Sequence, residues 1–305
     1  MTHQELTSST NLKTPGRLSF GVMMALVASA AAANAAALTY TTGLDVWLDA
    51  SDIDGSNNST LTDGASFATW TNKGTTGVGN AIAPTTGSLG NTEGVLSASG
   101  GDGGQASVTL DNTRYHFAGG EWGDSSNVTM YFVLNQSTGS SANASILTDY
   151  GTVGAELRNL RVGGGSAGAY LRDSDNDALA VAHGAGDLAD QSWATVFFSF
   201  DATTGTSTWG ELGSTTTGTN AAYNTSTTFE GTFGGPVTLF GFHDGNNTHD
   251  FNGSVSEVLI YDHLLDAGQR AQVESYIVSK TIPEPCSAAL LGVSGLAFIL
   301  RRRRK

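Results

Sequence analysis

From residue 38 to residue 262 the chain is a succession of short apolar runs divided by Gly, Asn, Asp, Ser and Thr. That punctuation limits the possible folds more than any other feature. Glycine reaches positive φ without steric cost, and Asn, Asp, Ser and Thr bond their own backbone in turns, so each divider is a turn signal. No helical-period runs lie between the apolar segments, which excludes parallel βαβ units, since each needs a crossover helix. No repeat of roughly 20 to 50 residues is visible, which argues against a solenoid or propeller. The expectation is an all-β, antiparallel, two-sheet sandwich of about a dozen strands.

Individual runs sharpen this. Leu44 to Asp49 reads as the first strand, Ser66 to Trp70 as a second and Ala106 to Leu110 as a third. Val128, Met130, Phe132 and Leu134 alternate with Thr129, Tyr131, Val133 and Asn135, placing the two sets on opposite faces. Trp193 to Phe200 has apolar side chains at odd and even positions alike, as a strand buried on both faces would. Val237 to Phe242 and Val255 to Tyr261 follow, with weaker candidates at Ala155 to Val162, Ala169 to Arg172, Thr206 to Leu212 and Thr227 to Phe233. One helix is expected, closing the domain. Asp266 and Gln269 have capping-box spacing. Val273, Tyr276, Ile277 and Lys280 then recur at i, i+3, i+4 and i+7 as one narrow stripe, which suits a helix lying against the sandwich rather than inside it.

The two ends have a different character. Lys13 and Arg17 precede an apolar stretch from Leu18 to Ala33, and both Ala33-Asn34-Ala35 and Ala35-Ala36-Ala37 fit an A-x-A cleavage site. That is the layout of a secretory signal peptide over residues 1–37. At the other end, Pro283 and Pro285 around Glu284 discourage helix and sheet and leave a stiff, extended tripeptide. Residues 286–300 carry no charge, and Arg301, Arg302, Arg303, Arg304 and Lys305 resist crossing a membrane. At about 1.5 Å per residue the uncharged run spans roughly 22 Å, short for a permanent span and suited to a transient anchor. This tail, residues 281–305, resembles the PEP-CTERM sorting signal of Gram-negative bacteria. The resemblance implies export through the Sec machinery, recognition at Pro283-Glu284-Pro285 by an exosortase, brief anchorage in the inner membrane, and release to the cell surface among exopolysaccharide.

The body, residues 38–280, carries seven basic residues against 26 acidic ones, a net charge of 7 − 26 = −19. Such a surface repels nucleic acid and anionic lipid and favours solubility or divalent cations. Cys286 is the only cysteine and lies in the tail. The body therefore has no disulfide, thiolate metal site or cysteine nucleophile, and its stability must come from a sizeable core.

A second resemblance covers residues 44–280. Phe251-Asn252-Gly253-Ser254-Val255-Ser256-Glu257-Val258-Leu259-Ile260-Tyr261-Asp262 looks like the last strand of a laminin-G-like, concanavalin A-type jelly roll. Leu264-Leu265, Arg270 and Val273-Glu274-Ser275-Tyr276-Ile277 resemble the tail of bacterial members, and Trp47-Leu48-Asp49-Ala50-Ser51-Asp52, Asp63-Gly64 and Trp70 resemble their start. The resemblance implies two curved antiparallel sheets and functions ranging from glycan binding and adhesion to hydrolysis.

Candidate sites follow from residue chemistry. Glycan hydrolysis needs two carboxylates a few ångströms apart, but the E-x-D spacing common on one strand of this fold class occurs nowhere, and Glu156, Glu211 and Glu257 lie on separate expected strands. Asp173, Asp175 and Asp177 begin like a calcium-binding EF-hand loop, which then fails at Ala178 and Gly184. A Ca²⁺ site and a solvated acidic turn are the two readings of this segment. Asp49, Asp52, Asp54 and Asn57 form a second acidic cluster, for which turn bonding is the commoner explanation. His243-Asp244 and His249-Asp250 lack metal-ligand spacing and read as a rim loop able to contact a sugar. Of five tryptophans, Trp47, Trp70 and Trp193 sit in strand-like runs, whereas Trp122 and Trp209 are expected to be exposed and available for stacking on sugar. Asn127 and Asn252 head N-x-[ST] sequons that say little in a bacterial chain. The reading is a non-catalytic, exported surface protein that binds carbohydrate or matrix. A ligand-free biofilm coat protein and a glycan hydrolase are the alternatives.

Overall fold

The computed structural model describes residues 37–83, 92–117, 127–137, 144–150, 157–163, 167–172, 178–182, 192–220, 237–241 and 249–281. Residues 35–283 form one compact unit, and a second unit, 1–34 with 284–305, lies outside the described residues. Among the described residues no helix is long and apolar enough to cross a membrane.

In chain order the strands are β1 (Leu44–Asp49), β2 (Ser66–Phe67), β3 (Thr69–Trp70), β4 (Ala81–Ile82), β5 (Gly94–Ser97), β6 (Ser107–Leu110), β7 (Tyr115–Phe117), β8 (Asn127–Gln136), β9 (Ser145–Tyr150), β10 (Leu157–Arg161), β11 (Gly168–Arg172), β12 (Ala178–Ala182), β13 (Trp193–Asp201), β14 (Thr206–Glu211), β15 (Ser214–Thr219), β16 (Thr238–Leu239) and β17 (Gly253–Tyr261). One helix, α1 (Ala267–Thr281), follows them. The strands form two sheets, ordered β15-β14-β13-β8-β17-β6-β5-β2, with β1 also on β17, and β12-β11-β10-β9-β16-β7-β4-β3. Every described ladder is antiparallel. The described residues are thus mostly β, a two-sheet antiparallel sandwich with one α-helix.

Strand alternation explains how the layers assemble. Val128, Met130, Phe132 and Leu134 of β8 join Val196, Phe198 and Phe200 of β13 and Val258 and Ile260 of β17 in the core between the sheets. The opposite face of the same strands offers Tyr131, Val133, Phe197, Leu259 and Tyr261, and Val273, Tyr276 and Ile277 of α1 cover it. β13 lacks alternation because it is sandwiched between the second sheet and this helix. Full burial of each such side chain contributes about 1.5–3 kcal/mol.

The helix begins where its cap chemistry demands. Gly268 and Gln269 donate backbone N–H groups to Asp266 Oδ1 at 2.8 and 2.9 Å, and Asp266 N–H donates back to Gln269 Oε1 at 2.8 Å. The buried residues of α1 are Val273, Tyr276, Ile277 and Lys280, the four of the expected stripe.

Two expected strands differ in form. Ser66 to Trp70 is two strands, because the chain crosses at Ala68 from β2 in one sheet to β3 in the other. Both aromatic residues still reach the core, Phe67 meeting Trp70 edge-on at 6.0 Å. The run from Val237 shortens to β16 because Phe240 takes φ +65° to bury its ring against Phe251, at 5.9 Å, and the ladder ends there. Between the sheets, Arg114 ahead of β7 clamps Asp250 ahead of β17, Nε to Oδ1 and Nη2 to Oδ2 both at 2.7 Å, with both residues buried.

Candidate functional site: an open cleft and a sealed carboxylate cluster

The structure brings together two carboxylates that sequence spacing keeps apart. Asp49, at the end of β1, lies directly opposite Glu257 across the β1–β17 ladder. Lys280, one turn beyond Tyr276 on α1, reaches between them. Its Nζ donates to Asp49 Oδ1 at 2.7 Å and to Glu257 Oε2. Glu257 Oε1 accepts from Trp47 Nε1 at 2.6 Å and from the Tyr276 hydroxyl at 2.8 Å. Asp49 also accepts from Ser51 N and Oγ and from Lys73 Nζ, at 2.8, 2.6 and 3.2 Å. Lys73 reaches Asp52 Oδ2 at 3.1 Å and lies 4.3 Å from the centre of the Trp47 ring.

Three carboxylates therefore share two ammonium groups, and the most buried acid, Glu257, relieves the excess negative charge by holding its proton. Burial pushes Glu257 up to about 7, helped by Asp49 and opposed by Lys280. Burial also pushes Asp49 upward, but Lys280, Ser51 and Lys73 outweigh it and hold that carboxyl at about 2. Every oxygen of the pair has a donor, and Asp49, Glu257 and Lys280 are respectively 5%, 2% and 7% exposed. A pair closed in this way has no face on which to receive a sugar. It pins the last helix, since removing one partner from a buried ion cluster leaves an uncompensated charge.

The expected acidic cluster at Asp49, Asp52, Asp54 and Asn57 is likewise spent on its own chain. Asn57 N–H donates to Asp52 Oδ1 at 2.7 Å. Asp54 is held at about 2 by the Thr60 hydroxyl and N–H, with Ser56 and Asn58 N–H adding to the effect. Among the described residues no group of three or more His, Cys, Asp or Glu side chains is placed to hold a metal ion.

Trp209 corrects an expectation. It is fully buried rather than exposed, because on β14 it shares the inward face with Ser207 and meets Phe198 of the neighbouring strand edge-on at 6.3 Å. Asp250, flanked in sequence by His249, is consumed by Arg114. Trp122, His243, Asp244, Asp173, Asp175, Asp177, Pro283, Glu284, Pro285 and the five basic residues from Arg301 to Lys305 lie outside the described residues.

The open site lies elsewhere on the first sheet. Alternation turns Thr109 outward between buried Val108 and Leu110, and the ladder sets it against Ser254, which in turn faces Asn135. Thr109, Asp111, Ser137, Asn252 and Ser254, with Leu110 and Gly253, enclose a cleft of about 370 Å³. Asn252 stitches its walls: its Oδ1 accepts from Asn112 N–H at 2.9 Å, and its carbonyl accepts from Ser137 N–H and Oγ at 2.9 and 3.0 Å. Gly253 is required here, as a Cβ would come within 2.2 Å of the Asn135 carbonyl oxygen. Among the described residues the lining offers hydroxyl and amide groups and one carboxylate, Asp111, with no cation. No catalytic motif marks these residues; the sequons at Asn135 and Asn252 both touch the cleft, and Asn252 serves the turn.

A two-sheet antiparallel sandwich carrying a helix on one outer face is the class that the ladders define. No known protein-family pattern matches the chain, and no curated protein matches it. Solved structures with partial likeness include the CBM40 module of Ruminococcus gnavus IT-sialidase bound to α2,3-sialyllactose, 21% identical, covering 50% of this chain and 82% of that one with a TM-score of 0.39. A mutant NanB sialidase of Streptococcus pneumoniae is 14% identical over 54% of this chain and 27% of its own, with a TM-score of 0.43. A Trypanosoma rangeli sialidase mutant displaying trans-sialidase activity is 13% identical over 80% of this chain and 34% of its own, with a TM-score of 0.41. Likenesses at these scores carry no functional argument, and the fold class rests on the strand order itself.

Proposed function

We propose that this chain is an exported, non-catalytic surface or matrix protein, sorted by an exosortase-type system. Its concanavalin A-like, laminin-G-like jelly roll binds neutral carbohydrate in the cleft between β6 and the start of β17. The composition of that cleft carries the reading. Neutral sugars present hydroxyl groups that pair with Thr, Ser and Asn side chains, and a carboxylate such as Asp111 can accept two of them. A lining with an acid and, among the described residues, no base, on a body of net charge 7 − 26 = −19, disfavours anionic glycans. The non-catalytic reading is supported by the closure of the Asp49–Glu257 pair beneath Lys280 and Tyr276.

Thr109 and Asp111 are both exposed, so Thr109→Ala combined with Asp111→Ala spares the fold. By calorimetry with the producing cell's neutral polysaccharide, the double variant should bind about tenfold more weakly or worse, from the loss of two hydrogen bonds worth about 1 kcal/mol each. Equal affinity in variant and parent, or no binding by the parent to any neutral glycan, would sink the proposal.

A further inference from the structure

The geometry points to β15 as a docking edge for a second copy of this chain, which adds its own β15 antiparallel across a two-fold axis at Thr217. Of the four strands that end the two strand orders, β15 is the longest, at six residues; β1, also six residues and paired only with β17, has its other edge met by the backbone of Lys73 and Thr75. Sheet edges are normally guarded by charge, proline, a bulge or shortness. β15 reads Ser-Thr-Thr-Thr-Gly-Thr, with neither charge nor proline, and its register with β14 is unbroken. All its residues but Gly218 are exposed.

The hairpin fixes which backbone groups face outward. The β14–β15 loop has two residues, Leu212 and Gly213, the latter at φ +91°. Glu211 and Ser214 therefore form the hydrogen-bonded closing pair, and Trp209 with Thr216 and Ser207 with Gly218 repeat it. The pairs between them, Thr208 with Thr217 and Thr206 with Thr219, are of the close, non-bonded kind. Their side chains meet accordingly, Oγ1 to Oγ1 at 3.0 and 3.1 Å. The N–H and C=O groups of Thr215, Thr217 and Thr219 thus point away from β14, and no partner meets them among the described residues.

This outward row is complementary to itself. In an antiparallel pair centred on Thr217, that residue faces its own copy while Thr215 faces Thr219, so all outward donors and acceptors are matched. The threonine side chains then continue across the axis the hydroxyl pairing already present between β14 and β15. A closed two-fold of this kind is the commonest way identical chains associate, and strand addition is an established recognition mode. Charge favours this place: the chain carries −14 overall, and an uncharged edge lets two copies meet without opposing like charges.

Sedimentation velocity of the full-length chain in detergent, over a concentration series, tests this against Thr217→Lys and Thr217→Pro. The lysine variant opposes two ammonium groups at the axis. The proline variant removes an outward N–H that β14 does not use. The parent is expected to show a monomer–dimer equilibrium that both variants lose at the same concentrations, with unchanged melting midpoints. If proline lowers the midpoint, the lysine variant decides. A parent that stays monomeric, or a dimer that survives Thr217→Lys, overturns the proposal; the latter outcome places association on another surface, the apolar tail included.

Discussion

At the scale of single residues, Glu257 is where burial and charge are most finely opposed. An ordinary glutamate releases its proton near 4.5, whereas this one holds it to about 7. Between those values the folded chain binds a proton that the unfolded chain has lost. The stability linked to Glu257 is therefore complete below 4.5 and is lost as pH rises through 7. Asp49 has the opposite sign: held at about 2 against an ordinary 3.8, its contribution is present above 3.8 and lost as pH falls through 2. The combination favours mildly acidic conditions. Thermal melts of Glu257→Gln across pH 4.5 to 7 should lack a decline of on the order of 3 kcal/mol that the parent shows. Parallel pH profiles for the two proteins would contradict the assignment.

At the scale of elements, patterned segments behave as local rules require, and unpatterned ones do not. The alternation of Val128 to Asn135 becomes a ten-residue strand with one face in each hydrophobic cluster. β15 has no apolar residue at all, so periodicity cannot reveal it; its strand state comes from pairing with β14. Trp209 misleads for the same reason, because it is the lone large apolar residue of its strand and its orientation depends on the neighbouring Phe198. The helix is the clearest local unit, and its entry depends on Asp266. Replacing Asp266 with Ala strands the Gly268 and Gln269 N–H groups and should cost about 1 kcal/mol in denaturant titration. A variant as stable as the parent would mean that packing alone positions the helix.

At the scale of the molecule, the final helix joins the first strand, the last strand and the start of the expected sorting tail. Its last anchor is Lys280, three residues before Pro283. A chain ending at Thr281 keeps every buried contact of α1 and should melt with the parent. A chain ending at Ser279 leaves Asp49 and Glu257 without their shared ammonium and should lose about 3–5 kcal/mol. Equal melting of the two truncations would refute the anchor. In the producing cell the chain ending at Thr281 should be folded yet absent from the surface, by fractionation; normal surface retention would remove the sorting role proposed for residues 281–305.

Sequence by itself determined what depends on near neighbours in the chain: turn punctuation, strand alternation, the capping box of α1 and the four-residue stripe it buries. These are properties of φ, ψ and side-chain period, which act over a few residues. The cleft could not be read that way, because Thr109, Ser137 and Ser254 come together only through ladder register. Nor could the carboxylate pair, since Asp49 and Glu257 are 208 positions apart and become neighbours only when β1 lies beside β17. Lys280 joins both levels. Its place on the stripe follows from helical spacing, but a lysine is stable there only because the tertiary fold supplies two carboxylates to meet it.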